Sequence, residues 1–146
     1  MENFWKTFKK AEIELPKTIL EAQRNIFNDI IPPNTLVCEI KETQEDITNP
    51  WDNGIGLLIE GQNQNKRISF IYSMYILAPS LKNYRVLLFK VTYDISKVYP
   101  CTISNIYSGE SEIKCENNEE FKKHLKDILQ STSISELIDV LLAQVS

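Results

Sequence analysis

The hydrophobic residues of this chain change their spacing twice, and this change limits the folds that the chain can adopt. In the N-terminal and C-terminal segments, apolar residues recur roughly every three to four positions, as they do on an amphipathic helix. Between about residues 36 and 115, apolar residues alternate with polar ones, as they do on a half-buried strand. Helices on both sides of a block of strands indicate an α+β fold rather than α/β.

The strand segments are joined by short breaks such as "SKVY" and "SGE". Parallel strands need crossovers of about a dozen residues or more, whereas antiparallel strands do not. The sequence therefore predicts an antiparallel meander of five or six strands, one of them in "GIGLLIEG" at residues 54–61. The two longest strands are expected to turn these side chains to the core: Ile68, Phe70, Tyr72, Met74, Ile76, Leu87, Phe89, Val91, Tyr93 and Ile95.

Two helices are predicted before the sheet. The first follows Asn3, whose side chain can cap a helix. The second begins near Pro16, which suits a first turn because its missing N–H would be unpaired there anyway. The apolar stripes consist of Phe4, Trp5, Phe8 and Ala11 in the first helix and of Ile19, Ala22, Ile26, Phe27 and Ile30 in the second.

Two further helices are predicted after the sheet. Asn117 is followed three residues later by Glu120, which resembles a capping box. Ser133 and Glu136 repeat this spacing at the start of the last helix. The expected architecture is thus one domain over residues 1–146, with two N-terminal and two C-terminal helices packed on the meander.

Composition argues against several classes of partner. The net charge of −4 and the lack of a basic stripe make the chain a poor electrostatic match for nucleic acid. No apolar run reaches the ~18 residues that a membrane span needs. The N-terminus lacks the apolar region of a signal peptide, so the chain is expected in the cytoplasm and away from membranes. The abundance of Asn, Ile and Lys is typical of a bacterial protein.

The sequence contains no recognisable catalytic motif. Cys38, Cys101 and Cys115 are odd in number and widely spaced, which favours buried structural thiols over disulfides or a zinc site. His124 flanks an apolar stripe without a nearby catalytic partner, so it is interpreted as a boundary residue. The carboxylates around residues 42–52 match no ligand spacing. We therefore predict no catalytic residue, metal or cofactor; a non-enzymatic protein is favoured, and enzymatic activity is left open.

A candidate binding surface follows from the meander. Alternate connections of a meander fall at one end of the sheet, so the 43–54 loop, the 78–84 turn and the 108–111 turn should lie together. Tryptophan, tyrosine and arginine are the residues enriched in protein interfaces. The predicted site is therefore formed by Trp51, Asp52, Asn53, Lys82, Tyr84 and Arg85. The alternative for Trp51 is that it folds back and covers a sheet edge.

Two hypotheses about function remain open. The leading one is a small non-enzymatic module that binds another protein through these loops, as an immunity, inhibitor or adaptor protein does. The alternative is a small-molecule or nucleotide-binding domain, enzymatic or not, that recognises an anionic ligand through Arg85 and Lys82. Nucleic-acid binding on the exposed sheet face ranks below both.

The first helix offers a further contact. Its aromatic residues Phe4, Trp5 and Phe8 are flanked by lysines, which would suit a partner or a membrane surface. Packing against the chain's own core or in a homodimer is favoured, because an apolar helix stripe is normally buried.

Overall fold

The part of the chain that the structure describes forms three helices and a five-stranded sheet. A computed structural model describes residues 1–46 and 67–145, and the account below concerns these residues. The elements, in chain order, are α1 (Pro16–Ile30), β1 (Val37–Asp46), β2 (Ile68–Ala78), β3 (Tyr84–Asp94), β4 (Lys97–Ser104), β5 (Ile113–Cys115), α2 (Asn118–Leu129) and α3 (Thr132–Val145).

The sheet is an antiparallel meander, as predicted. Its strand order is β1-β2-β3-β4-β5, and each strand pairs antiparallel with the next one in the chain. The α+β class is thereby confirmed. The strand predicted at residues 54–61 lies outside the described residues.

A β-bulge interrupts the pairing of the two long central strands. Met74 pairs with Phe89 and Tyr75 pairs with Leu87, which leaves Leu88 as an extra residue on β3. As a result, Leu88 and Phe89 are both buried in the core, whereas Leu87 is only half-buried. The expectation that Leu87 faces the core was wrong, because strict alternation does not survive an inserted residue. Ile95 was also expected inside, but it lies past the end of β3 and is exposed.

The core lies between one face of the sheet and the helices. Phe121, Leu125 and Ile128 of α2 are buried together with Cys101, Ile103 and Cys115 of the sheet. The apolar stripe of α1 is covered less completely than predicted. Ile19 and Leu20 are buried and Phe27 is half-buried, but Ile26 and Ile30 are 50% and 71% exposed, and Ala22 is exposed as well.

The helix predicted near the N-terminus is not formed. Residues 1–15 contain no helix or strand, and Phe4, Trp5 and Phe8 are exposed. An isolated helix shorter than ~12 residues is marginal in water, and tertiary packing usually provides its stability. No such packing is present along this segment, so its apolar period did not produce a helix. The expectation that this stripe packs on the chain's own core was wrong, because these aromatics are exposed to solvent, whereas the homodimer contact stays a prediction.

The helix starts differ in how they are capped. Asn117 caps α2 as predicted, because its Oδ1 accepts a hydrogen bond of 2.9 Å from the backbone N–H of Glu120. The Glu120 carboxylate in turn accepts a bond of 2.6 Å from the N–H of Glu116. The last helix begins at Thr132, earlier than Ser133 would imply, and the Ser131 hydroxyl accepts from the N–H of Ile134 at 3.4 Å.

Among the described residues, no single helix has both the length and the apolar character needed to cross a membrane. The pair α2 and α3 meets that criterion only when the two are joined across their 47° bend.

Candidate functional site

The turn between β2 and β3 is held in a defined conformation. Lys82 and Asn83 have φ values of 59° and 57°, in the left-handed region where asparagine is among the better-tolerated residues. Three backbone hydrogen bonds close the turn, from Leu81 to Ala78, from Asn83 to Pro79 and from Tyr84 to Leu81, at 3.1, 3.3 and 3.1 Å. The five-residue connection 79–83 is therefore an ordered turn with Lys82 exposed near its tip.

Arg85 is positioned by two neighbours on the outer sheet face, the face turned away from the helices. Its guanidinium lies over the ring of Tyr75, at 5.1 Å from the ring centroid. Its Nη2 also lies 3.4 Å from a carboxylate oxygen of Glu39. Glu39 pairs with Tyr75 across β1 and β2, so the three side chains form one cluster on adjacent strands. We call Glu39, Tyr75 and Arg85 the arginine cluster.

Tyr84 does not join this cluster. It precedes Arg85 on β3, and successive strand side chains point to opposite faces. Tyr84 pairs with Ala78 and is 49% exposed on the side of the sheet that carries the helices. The 79–83 turn thus has an arginine on one side and a tyrosine on the other, rather than a joint aromatic and cationic surface.

The predicted juxtaposition with the 43–54 loop is not supported by the described residues. Trp51, Asp52 and Asn53 lie outside them. The described residues that border that segment are Asp46 and Arg67, and Asp46 pairs with Ile68 at the end of the sheet opposite to the 79–83 turn. The connection 105–112 does share the end of the 79–83 turn, because the N–H of Tyr107 donates to the carbonyl of Leu88 at 2.8 Å.

Sequence reasoning missed Glu39 and Tyr75 as parts of a site. Neither residue belongs to a motif, and neither was named as part of a predicted site. Only the register of three strands identifies them, because Glu39 on β1 and Arg85 on β3 become neighbours through the strand pairing and not through the sequence. Arg85 was singled out correctly by residue type, but its two partners come from the fold.

A tyrosine network lies on the inner face of the sheet. The hydroxyl of Tyr72 donates to Oε1 of Glu42 at 2.6 Å, and the hydroxyls of Tyr93 and Tyr72 are 3.4 Å apart. The ring of Phe70 contacts both tyrosine rings. Burial, with the hydrogen bond to Glu42, raises the pKa of Tyr72 far above its usual value. Tyr72 therefore stays protonated at neutral pH and acts as a structural donor to β1.

The three cysteines are free and buried, as the sequence indicated. Burial raises the pKa of the Cys38 and Cys101 thiols to about 12, and it also raises the pKa of Cys115. Cys101 and Cys115 are directly opposed on β4 and β5 and hydrogen bond to each other. A neutral, buried thiol is a poor nucleophile, which agrees with a packing role for all three.

A groove runs between α1 and α2, and an apolar pocket adjoins it. The groove has a volume of about 530 Å³, and Ile19, Ala22, Leu125 and Leu129 line it between the polar rims formed by Glu14, Gln23, Lys122 and Lys126. The pocket has a volume of about 200 Å³. Gln23 and Leu129 line both cavities, so the two lie side by side. The remaining residues lining the pocket are Ile26, Phe27, Ile30, Cys38, Met74, Ile76, Leu88, Ile134 and Ile138.

Glu14 lies at one end of the groove, just before α1. Its carboxylate lies 2.6 Å from Nζ of Lys122 and accepts a bond of 3.1 Å from Nδ2 of Asn118. Two hydrogen bonds lower the pKa of Glu14, the larger effect coming from Lys122 and the smaller from Asn118. Its backbone carbonyl also accepts a bond of 2.7 Å from the hydroxyl of Tyr99. The chain is thereby fastened to both α2 and the sheet just before α1 begins.

Comparison with known proteins gives no match: no family, no curated protein and no solved structure resembles this chain. Function must therefore be inferred from the site geometry.

Proposed function

We propose that this protein is a non-enzymatic module that binds another protein through the end of the sheet at the 79–83 turn. The observation that supports the proposal best is the arginine cluster. An arginine held over an aromatic ring and beside a carboxylate has little rotamer freedom left to lose on binding. Arginine and tyrosine are also among the residues that contribute most to protein interfaces.

The turn contributes to the same surface. Its closed backbone presents Lys82 in a fixed position, and Tyr84 adds a half-exposed aromatic ring on the adjacent strand. A tyrosine supplies a large contact area at a small cost in conformational entropy. A partner that embraces the sheet end would contact Arg85 on one face and Tyr84 on the other.

The alternative, a binding site for an anionic small molecule, has weaker support. The charge of Arg85 is already matched by Glu39 at 3.4 Å, so an anionic ligand would have to displace that carboxylate. Lys82 lies in the turn, and its side chain is exposed. A small-molecule site is usually a concave and largely enclosed pocket, which the open end of a sheet does not resemble.

The test is site-specific photocrosslinking in extract of the source organism. A benzoylphenylalanine replaces Tyr84, and a matched probe replaces Ile95, which is also exposed but lies at the other end of the sheet. The proposal expects a discrete protein adduct from position 84 and none from position 95. In that background, Arg85→Ala should weaken capture about tenfold, which corresponds to ~1.4 kcal/mol, a typical loss for an interface arginine.

Two further variants separate the hypotheses. Arg85→Lys keeps the charge but removes the planar group that stacks on the ring of Tyr75. Protein binding should therefore weaken in Arg85→Lys as it does in Arg85→Ala. Glu39→Gln would release Arg85 for an anion and so should increase the thermal shift caused by nucleotides or dicarboxylates if the site binds small anions. Adducts of equal yield from positions 84 and 95, or a thermal shift that grows in Glu39→Gln, would contradict the protein-binding proposal.

A further inference from the structure

Two apolar surfaces of this chain lack a partner among the described residues. One is the pocket beside α1, whose floor is formed by the buried residues Cys38, Met74 and Leu88. The other is the aromatic segment near the N-terminus, where Trp5 and Phe8 are 76% and 77% exposed. Exposed aromatic groups and an open apolar pocket on one chain are complementary in chemistry, because each removes apolar area of the other from water.

We infer that the groove between α1 and α2 binds an extended segment that carries an aromatic residue, and that its occupant is residues 1–13 of the same chain. We call these residues the N-terminal strap. In the structure the strap is open. In the closed state it folds back from Glu14, runs along the groove and places Phe8 in the apolar pocket. This site is separate from the sheet end of the proposed function.

The length of the strap identifies Phe8 as the aromatic residue that reaches the pocket. An extended chain advances at most ~3.6 Å per residue, so Phe8 can lie up to about 20 Å from Glu14. Along α1, which rises ~1.5 Å per residue, Gln23 and Ile30 lie about 14 Å and about 24 Å from Glu14. Phe8 therefore reaches the pocket between these two residues. Phe4, with a reach of about 36 Å when extended, passes beyond the pocket.

The pocket has room for the ring. Its volume is about 200 Å³, and its lining is almost entirely apolar. An apolar cavity of ~150 Å³ is large enough to bind benzene. The phenyl ring of Phe8 would contact Ile26 and Ile30 at the mouth, which are the α1 side chains that the rest of the chain leaves exposed.

The charges along the groove agree with this path. Glu14 already pairs with Lys122, and one turn further along α2 the groove is lined by Lys126. In an extended strap, Glu12 follows on the same side as Glu14 at a distance of ~7 Å. One helical turn on α2 advances by a similar ~6 Å. The spacing from Glu14 to Glu12 therefore matches that from Lys122 to Lys126, and Glu12 would face Lys126.

The chain's own strap is a better occupant than that of a second copy. A segment tethered by a short connection that can span the distance experiences an effective concentration in the millimolar range. Glu14 anchors the strap at the open end of its own groove, and the reach to the pocket is sufficient. A second copy at micromolar concentration would compete poorly.

The test uses the full chain with isotope-labelled isoleucine methyl groups. Closure predicts ring-current shifts on the methyl groups of Ile30 and Ile138 that are lost in Phe8→Ala. Phe4→Ala is the matched control, since Phe4 is an equally exposed phenylalanine of the strap, and it should leave those methyl shifts unchanged. The shifts should be the same over a tenfold range of protein concentration, and the protein should sediment as a monomer.

A charge swap tests the register separately. Glu12→Lys should reduce the closed fraction, and the double variant Glu12→Lys with Lys126→Glu should restore it, with both read from the Ile30 methyl shift. Methyl shifts unaffected by Phe8→Ala would overturn the proposal, as would shifts that respond to Phe4→Ala instead. Shifts that appear only at high concentration, together with a dimer, would assign the groove to a second copy and would equally overturn it.

Discussion

Helices α1 and α2 are both amphipathic and both pack against the sheet, yet the apolar stripe of α2 is covered much more completely than that of α1. Phe121, Leu125 and Ile128 of α2 are all buried. On α1, burial is concentrated near the start, and Ile26 and Ile30 near the end are exposed. An apolar stripe therefore identifies the side of a helix that can pack, but it does not show how far along the helix a packing partner extends.

The largest expected effect comes from the covered helix. Phe121→Ala should reduce the free energy of unfolding by ~3–5 kcal/mol, because it removes a fully buried ring and leaves a cavity. Phe27→Ala on α1 is the matched comparison and should cost only ~1–2 kcal/mol, since Phe27 is half-buried. Urea unfolding at neutral pH measures both. Equal losses would mean that the pocket side of α1 is packed as tightly as α2.

Alkaline pH tests whether the floor of the pocket is dry. The folded pKa values of Cys38 and Cys101 are raised to about 12 by burial, whereas in the unfolded chain these thiols ionise near 9. The unfolded state therefore loses protons first, and stability falls as pH rises from 9 towards 12. We expect each thiol to contribute a loss of ~1–3 kcal/mol between pH 9 and pH 11.

Two cysteine variants compare the pocket beside α1, which Cys38 lines, with the core beneath α2, which contains Cys101. Cys38→Ala and Cys101→Ala should each flatten the alkaline fall in the free energy of unfolding, measured by urea titration at a series of pH values. If only Cys101→Ala flattens it, Cys38 is hydrated, and the pocket beside α1 is filled with water rather than available as dry apolar space.

A smaller effect is expected from helix capping. Asn117→Ala should cost ~1 kcal/mol, because the N–H of Glu120 loses its side-chain acceptor. The N-cap residue of α1 is Leu15, whose side chain accepts no hydrogen bond, so Leu15→Asn should not weaken α1 and can stabilise it. Thermal unfolding of the two variants measures the contrast. A neutral Asn117→Ala would show that tertiary packing alone fixes the start of α2.

The smallest effect is expected at the end of α1. With the strap open, Ile30→Ala should change the free energy of unfolding by less than ~0.5 kcal/mol, because the side chain is then 71% exposed. Ile128→Ala on α2 is the control and should cost ~2–5 kcal/mol as a buried isoleucine. A loss above ~1 kcal/mol in Ile30→Ala would mean that the side chain is covered in solution, which the closed strap would explain.

The sequence was sufficient for the architecture of the described residues. Short breaks between strands required antiparallel pairing, and Asn117 with Glu120 identified the start of α2. The sequence failed where a local pattern lacked a tertiary partner. Phe4, Trp5 and Phe8 have helical spacing, but nothing covers them in the structure, and residues 1–15 formed no helix.

The candidate site was only partly predictable. Residue type selected Arg85 and Tyr84, whereas the side chains that orient Arg85 come from β1 and β2. The alternation of strand residues places Tyr84 and Arg85 on opposite faces of β3, and this follows from the sequence once both are placed on one strand. The pocket beside α1 could not be foreseen, because its lining is contributed by six elements: α1, β1, β2, β3, α2 and α3.

The bulge at Leu88 has a consequence for how this protein can change its length during evolution. A residue gained or lost within the 79–83 turn alters only the connection between β2 and β3. Loss of Leu88 at the bulge would leave Met74 opposite Phe89 and Tyr75 opposite Leu87, so the pairing becomes regular while Tyr84 and Arg85 keep their faces. Loss of a residue from the regular part of β3 would instead shift the register or move side chains to the other face. Relatives that lack the bulge should therefore carry their arginine one position closer to the residue that matches Phe89, and sequence comparisons should place the gap at Leu88.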